Sequence, residues 1–81
     1  MNVKELVLPL KKVTWVIYYE EKNGYNVVVS LCRKIKTKKG EMEDIISNAP
    51  GNWRKMLGTL NYLMRKFPQH REFIKNLVLI D

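Results

Sequence analysis

Cysteine and histidine, the residues that most often supply nucleophiles, general bases and zinc ligands, each occur once in this chain, as Cys32 and His70. A cysteine nucleophile needs a neighbouring base and a group that orients that base, and a zinc site needs several Cys or His ligands. Because one residue of each type supplies neither set, we expect no enzymatic activity, no metal and no cofactor. We predict that Cys32 is an inert buried thiol opposite Trp15 in a β-strand, and that His70 is exposed.

Three acids in the segment GEMEDIISN are the remaining residues that resemble a metal site or an acid/base pair: Glu41, Glu43 and Asp44. The apolar residues of the same segment recur at helical spacing, which predicts a first helix over Met42–Asn48. Acids in the first turn of a helix are stabilised by the helix macrodipole. We therefore interpret them as a helix start.

A basic run between the second predicted strand and Gly40 contains five cations in seven residues: Arg33, Lys34, Lys36, Lys38 and Lys39. Such a run is a candidate for a flexible arm that grips the phosphates of a nucleic acid. A solvated loop, or a charged edge that blocks strand-to-strand aggregation, is the alternative interpretation.

The clearest helical pattern runs from Trp53 to about Lys66, after the break at Pro50–Gly51, with Asn52 as the predicted N-cap and Pro68 at the end. At 100° per residue, seven apolar residues fall within a stripe of about 120°. They are Trp53, Met56, Leu57, Leu60, Leu63, Met64 and Phe67. The opposite face has no acid and consists of Arg54, Lys55, Gly58, Thr59, Tyr62, Arg65 and Lys66.

This basic helix face is the strongest indication of function in the sequence. Amphipathic helices usually mix acids and bases on the exposed side, because i,i+4 ion pairs stabilise them. Four cations around Tyr62, with a glycine for close approach, instead suit phosphate contacts combined with a stacking contact. A solvated face of chance composition is the alternative.

A β-hairpin is predicted upstream of these basic elements. Asn23-Gly24 between two β-rich runs favours a type I′ turn. If Lys22 pairs with Tyr25, paired residue numbers sum to 47, and Trp15 then faces Cys32. Val3–Leu8 is a candidate third strand that ends at Pro9. The sequence therefore predicts an α+β fold, in which an antiparallel sheet of two or three strands precedes two or three helices.

Both faces of the predicted hairpin are apolar, although a sheet with one wet face would alternate apolar and polar residues. One face carries Val13, Trp15, Ile17, Tyr19, Val28 and Cys32. The other carries Val16, Tyr18, Tyr25, Val27, Val29 and Leu31. One long helix cannot cover both, so we predict a homodimer. The alternative is that a last segment, residues 69–79, closes the second face, either as a helix or with a short strand at its end.

Composition sets the outer limits. Eighty-one residues allow one domain, residues 1–81, and the net charge of +7 favours polyanionic partners. A single cysteine and the absence of a signal-peptide pattern or a long apolar run predict a cytoplasmic protein without a membrane span. Lysine outnumbers arginine eleven to four, which hints at an AT-rich viral or plasmid genome.

These patterns together predict a non-catalytic protein that binds DNA or RNA through backbone phosphates. The expected contacts are Arg33, Lys34, Lys36, Lys38, Lys39, Arg54, Lys55, Tyr62, Arg65 and Lys66. The alternative is a small protein-interaction module, an inhibitor or adaptor, that docks an acidic protein partner.

Overall fold

Strands come first in the chain and helices follow, which gives the α+β class that the sequence predicts. The computed structural model describes residues 2–48 and 53–79. Its strands are β1 (Lys4–Pro9), β2 (Val13–Lys22), β3 (Tyr25–Thr37) and β4 (Gly40–Asn48), which form one antiparallel sheet in the order β1-β2-β3-β4. Its helices are α1 (Trp53–Lys66) and α2 (Arg71–Lys75), separated by a 3₁₀ turn at Pro68–His70.

The turn between β2 and β3 consists of Asn23 and Gly24, which both have positive φ, 51° and 81°. Lys22 pairs with Tyr25 across this turn. Both central residues of a type I′ turn need positive φ, a condition that asparagine and glycine meet at low cost. The local sequence therefore accounts for the position and the type of this turn.

A bulge changes the register of the β2–β3 pair beyond Tyr19. Tyr19 faces Val28 as predicted, but Tyr18 faces Ser30, which leaves Val29 without a partner in β2. One extra residue in one strand is the definition of a β-bulge. The predicted pairs of Ile17 with Ser30 and of Trp15 with Cys32 are therefore wrong.

Because of the bulge, Leu31 and Cys32 lie on the opposite faces of the sheet from those that the sequence predicted. Leu31 pairs with Ile17 and both are fully buried in the core, on the face of the sheet that the helices cover. Cys32 pairs with Val16, so alternation places it on the opposite face, which we call the outer face. The sequence predicted the reverse assignment for Leu31 and Cys32, because it assumed a continuous register.

The predicted helix over Met42–Asn48 is wrong, because this segment belongs to strand β4. β4 pairs with β3 along its length and brings acids opposite cations: Lys36 with Glu41, Lys34 with Glu43, and Arg33 with Asp44. Opposite charges on facing strands stabilise such a pair. These contacts between strands outweigh the helical spacing of the apolar residues.

Helix α1 has the predicted bounds and supplies most of the helical side of the core. Its buried residues are Met56, Leu60 and Leu63, and the buried Phe67 follows directly after it. They contact Leu8, Ile17, Val28 and Leu31 of the sheet, together with Ile74 of α2. Leu57, predicted for the apolar stripe, is instead 44% exposed. The predicted break at Pro50–Gly51, the cap Asn52 and the side chain of Trp53 lie outside what the structure describes.

The C-terminal segment adds to the sheet rather than closing its second face. After α2 the chain is extended, and Val78 forms a parallel bridge with Val27 of β3. The Val78 N–H donates to the Asn26 carbonyl (2.8 Å), and the Val78 carbonyl accepts from the Val28 N–H (2.9 Å). This short strand occupies the part of the β3 edge that β4 does not reach.

The outer face is less exposed than the dimer prediction assumed. Val16 and Val27 are buried within the chain, and Leu31 lies in the core. Val7, on β1, remains 49% exposed. The apolar area left for a partner is therefore smaller than expected. Within the described part of the chain, no helix has the length and apolar character needed to cross a membrane.

Candidate nucleic-acid interface

The basic run from Arg33 to Lys39 is not a flexible arm but the second half of strand β3 and the turn after it. Arg33 Nη2 donates a hydrogen bond to Asp44 Oδ2 at 2.7 Å, and Lys34 Nζ lies 4.0 Å from Glu43 Oε2. Lys36 lies opposite Glu41 in the same ladder. Three of the five cations thus face an acid, which lowers the positive potential of this region.

Lys38 and Lys39 form the turn between β3 and β4. Thr37 Oγ1 donates to the Gly40 carbonyl at 2.8 Å and accepts from the Lys39 backbone N–H at 3.3 Å. Gly40 has a φ of +127°, which L side chains rarely adopt. The two lysines are therefore held at the tip of the β3–β4 hairpin.

Arg33 separates from the other cations of its run because it lies on the helix face of the sheet. Its guanidinium carbon lies 5.8 Å from the centre of the Trp15 ring. Trp15 in turn lies 6.0 Å from Tyr62 of α1, with the two rings tilted by 57°. Lys66 Nζ lies 5.8 Å from the Tyr62 ring. Two aromatic rings from β2 and α1 thus carry one cation each.

A further pair of cations borders this aromatic pair. The turn between β1 and β2 is closed by a hydrogen bond from the Leu10 N–H to the Val13 carbonyl (2.8 Å), and it exposes Lys11 and Lys12. The turn forms an open recess together with the sheet and α1. We call it the lysine recess; it is lined by Leu10, Lys11, Lys12, Val13, Trp15, Arg33 and Tyr62.

A second, smaller recess, which we call the aromatic recess, lies on the helix side of the same rings. It measures about 270 Å³ and is lined by Trp15, Gly58, Thr59 and Tyr62. The Thr59 hydroxyl donates back to the Lys55 carbonyl at 3.1 Å. Trp15 and Tyr62 are common to both recesses, so one aromatic pair is accessible from two sides.

Gly58 has no structural reason to be a glycine. It lies inside α1, where glycine costs about 1 kcal/mol relative to alanine. Its φ is not positive, and an added Cβ would meet no atom within 4 Å. Neither the backbone conformation nor the packing requires a residue without a side chain at position 58. Gly58 lines the aromatic recess, and the space beside its Cα is open.

The predicted basic face of α1 divides into two flanks. At about 100° per residue, Lys55 and Lys66 lie on the side of Tyr62 and the aromatic recess. Arg54 and Arg65 lie on the other side, towards α2. There Arg65 lines an open cleft, which we call the helical cleft, with Asn61, Met64, Pro68, Arg71 and Lys75.

Charge is distributed unevenly between the sheet and the helical layer. Residues 2–48 contain nine cations and six acids, whereas residues 53–79 contain six cations and a single acid, Glu72. The net charge is therefore +3 for the sheet segment and +5 for the helical segment, which is about half as long. The helical layer and the adjacent β1–β2 turn are thus the more strongly basic side of the molecule.

Cys32 is buried, as predicted, but on the outer face of the sheet. Its Sγ atom lies 3.7 Å from Ser30 Oγ. Burial raises the pKa of the Cys32 thiol, and the carboxylate of Glu43 adds to that rise, while the hydrogen bond with Ser30 opposes it. A thiol with a raised pKa is mostly protonated at neutral pH and is a poor nucleophile.

The sequence analysis missed several residues of this candidate interface. Lys11, Lys12, Arg71 and Lys75 are exposed cations that border the lysine recess or the helical cleft. Trp15 was predicted only as part of an apolar face of the hairpin. The adjacent Lys11 and Lys12, directly before a strand, were a signal that could have been read. The pairing of Trp15 with Arg33 depends on the bulge, for which the sequence has no clear local signal.

Comparison with protein-family models, curated proteins and solved structures gave no match.

Proposed function

We propose that this chain is a non-catalytic nucleic-acid-binding protein that contacts backbone phosphates through its helical layer and the β1–β2 turn. One observation carries the proposal: cations from three separate elements surround one accessible aromatic pair. They are Lys11 and Lys12 of the β1–β2 turn, Arg33 of β3, and Lys66 of α1. Phosphate contacts position a nucleic acid, and aromatic rings accept its bases.

The proposed contact set differs from the one that the sequence predicted. Arg33, Lys55, Tyr62 and Lys66 stay in it, and Lys11 and Lys12 join it. Arg54 and Arg65, with Arg71 and Lys75, form the continuation of the basic surface across α1. Lys34 and Lys36 are left out because they lie on the outer face opposite acids, and Lys38 and Lys39 because they lie at the tip of the β3–β4 hairpin.

Salt dependence of binding tests the proposal. We expect the protein to bind labelled DNA or RNA at micromolar affinity or weaker in physiological salt, with little sequence preference. Replacing Lys55 and Lys66 together by glutamine should weaken binding and reduce the log–log salt slope by about two, since each lysine neutralises about one phosphate.

A matched control separates a site from a general charge effect. Replacing Lys34 and Lys36 by glutamine changes the net charge by the same amount, from +7 to +5, but on the outer face. We expect a nearly unchanged salt slope for this variant. Equal losses in both variants would show that only net charge matters. No gel shift with any DNA or RNA at about 50 mM salt would remove the proposal and favour an acidic protein partner.

We also propose that the chain forms a homodimer through strand β1. β1 is a terminal strand of the sheet. Val7 on this strand and Val3 directly before it are about half exposed. Unpaired strand edges are templates for pairing with another chain, and a two-fold axis would join two β1 edges. Sedimentation equilibrium at micromolar concentration tests this idea, and a strict monomer of 9.6 kDa would remove it.

A comparison of two lysine variants tests the location of the dimer interface. Val7→Lys should dissociate the dimer, because it puts two like charges at the β1 contact. Met42→Lys, at another exposed apolar position, should leave the dimer intact. If both variants dissociate equally, the interface is not at β1.

A further inference from the structure

We infer that the aromatic recess beside Gly58 holds an unstacked nucleobase, so that the preferred ligand is single-stranded nucleic acid. This inference rests on the proposed nucleic-acid function and names its substrate class. Duplex DNA offers bases only as edges within its grooves, whereas a single strand can turn a base out and stack it on a ring. A recess lined by two aromatic rings, Trp15 and Tyr62, suits the second mode.

The lack of a side chain at Gly58 leaves room for a ligand in the recess between helix and sheet. The fold leaves the space beside its Cα empty, and the helix would be more stable with a side chain there. A side chain of moderate length at position 58 would lie over the recess that Trp15 and Tyr62 line. The glycine thus keeps the rings accessible, at a cost in helix stability.

The surrounding charges fit a phosphate on each side of a bound base. Arg33 lies over Trp15 and Lys66 over Tyr62, while Lys11 and Lys12 line the adjoining lysine recess. Successive phosphates of an extended strand can then run from the β1–β2 turn towards α1. The hydrogen bond to Asp44 and the contact with Trp15 set the position of Arg33 within the chain.

Two ligands with equal numbers of phosphates separate stacking from charge. The first is an oligothymidine of about 12 nucleotides, and the second is an abasic strand of the same length. We expect the wild-type protein to bind the oligothymidine roughly 5- to 100-fold more tightly than the abasic strand, from the usual contribution of one stacked base. Fluorescence anisotropy at low salt measures both affinities.

Gly58→Gln is the decisive variant. It should bind the abasic strand as the wild type does but lose the preference for the oligothymidine, while its urea midpoint stays equal or rises. Asn61→Gln is the matched control, because it places the same side chain in α1 next to the helical cleft instead, and it should keep the full preference.

The outcomes distinguish the inference from the function on which it rests. Equal wild-type affinity for both strands, or an unchanged preference in Gly58→Gln, overturns the base-binding recess and leaves the phosphate contacts standing. Failure of the wild type to bind either strand overturns the inference, and failure to bind duplex DNA or RNA as well overturns the proposed function itself. A tighter complex with duplex than with the oligothymidine also overturns the inference.

Discussion

Arg33 Nη2 and Asp44 Oδ2 are joined by a hydrogen bond of 2.7 Å that links strands β3 and β4. The pair has two consequences. It connects the acidic strand β4 to β3, and it holds the guanidinium beside Trp15, at the edge of the proposed binding surface. Asp44 therefore both fixes the direction of Arg33 and neutralises part of its charge.

Replacing Asp44 by asparagine should strengthen nucleic-acid binding. The change removes one negative charge close to the lysine recess and leaves Arg33 free to contact a phosphate. At about 0.1 M salt we expect an affinity gain of roughly 1.5- to 3-fold, because one unit charge at about 10 Å near a protein surface is worth up to about 1.7 kcal/mol and salt screens most of it. The free energy of unfolding should fall by about 1 kcal/mol or less, because both side chains are partly exposed.

Glu21→Gln is the control for this variant. It changes the net charge equally, but Glu21 pairs with Lys4 about 20 Å along β2 from Trp15, given about 3.3 Å per strand residue. At moderate salt that distance exceeds the Debye length. Anisotropy titrations should show no gain for Glu21→Gln, and an equal gain in both variants would contradict a local effect.

The bulge in β3 makes opposite predictions for two neighbouring apolar residues. Leu31 is fully buried in the core, so Leu31→Ala should lower the free energy of unfolding by about 2–5 kcal/mol. Val29 has no partner in β2 and is only partly buried, so Val29→Ala should cost about 1 kcal/mol or less. Urea denaturation of the two variants measures the difference. A cost for Val29→Ala equal to that for Leu31→Ala would contradict the bulged register.

Local signals explain the parts of the fold that the sequence predicted. The helix over Trp53–Lys66 follows from fourteen residues of regular periodicity, and the β2–β3 turn follows from the positive φ that Asn23 and Gly24 tolerate. Both features depend on residues that are close in the chain. No knowledge of distant contacts was needed.

Contacts between distant residues explain the parts that could not be predicted. The segment of β4 has helical spacing and acids where a helix would favour them, and only its pairing with Lys34 and Arg33 makes it a strand. The Trp15–Tyr62 contact joins residues 47 positions apart, and the pairing of Trp15 with Arg33 needs the register that the bulge sets. Periodicity within a window reports neither relationship.

The bridge between Val78 and β3 should contribute measurably to stability. Val78→Pro removes the N–H that donates to the Asn26 carbonyl, and loss of one such hydrogen bond costs about 1–3 kcal/mol. Val78→Thr keeps the N–H and changes a side chain that is 38% exposed, so it should cost about 0.5 kcal/mol or less. Urea denaturation and exchange of the Val28 amide, which donates to the Val78 carbonyl, measure the effect. Equal stability of the two variants would mean that the bridge contributes nothing.

We expect the free energy of unfolding to fall at high pH because of two groups on the outer face of the sheet, Tyr18 and Cys32. Burial raises the pKa of Tyr18 above its usual 10.0, with Glu43 adding to the rise, and burial raises the pKa of Cys32 above its usual 9.0. The folded protein therefore keeps both protons at pH values where the unfolded chain has begun to lose them. By linkage, the stabilisation is fully present below about pH 9 and is lost as pH rises through the folded pKa values.

Cys32→Ala isolates the thiol's part of this dependence. The variant should lose less stability than the wild type between about pH 8.5 and 10, because the two proteins differ only at this residue. Tyr18→Phe should show the same flattening at a higher pH. The labelling rate of Cys32 by a thiol reagent is an independent measurement, and it should be slow in the native protein and fast in urea, because the residue is 2% exposed. Fast labelling of the native protein, or identical pH profiles for Cys32→Ala and wild type, would contradict the burial of this thiol and return Cys32 to consideration as a reactive residue.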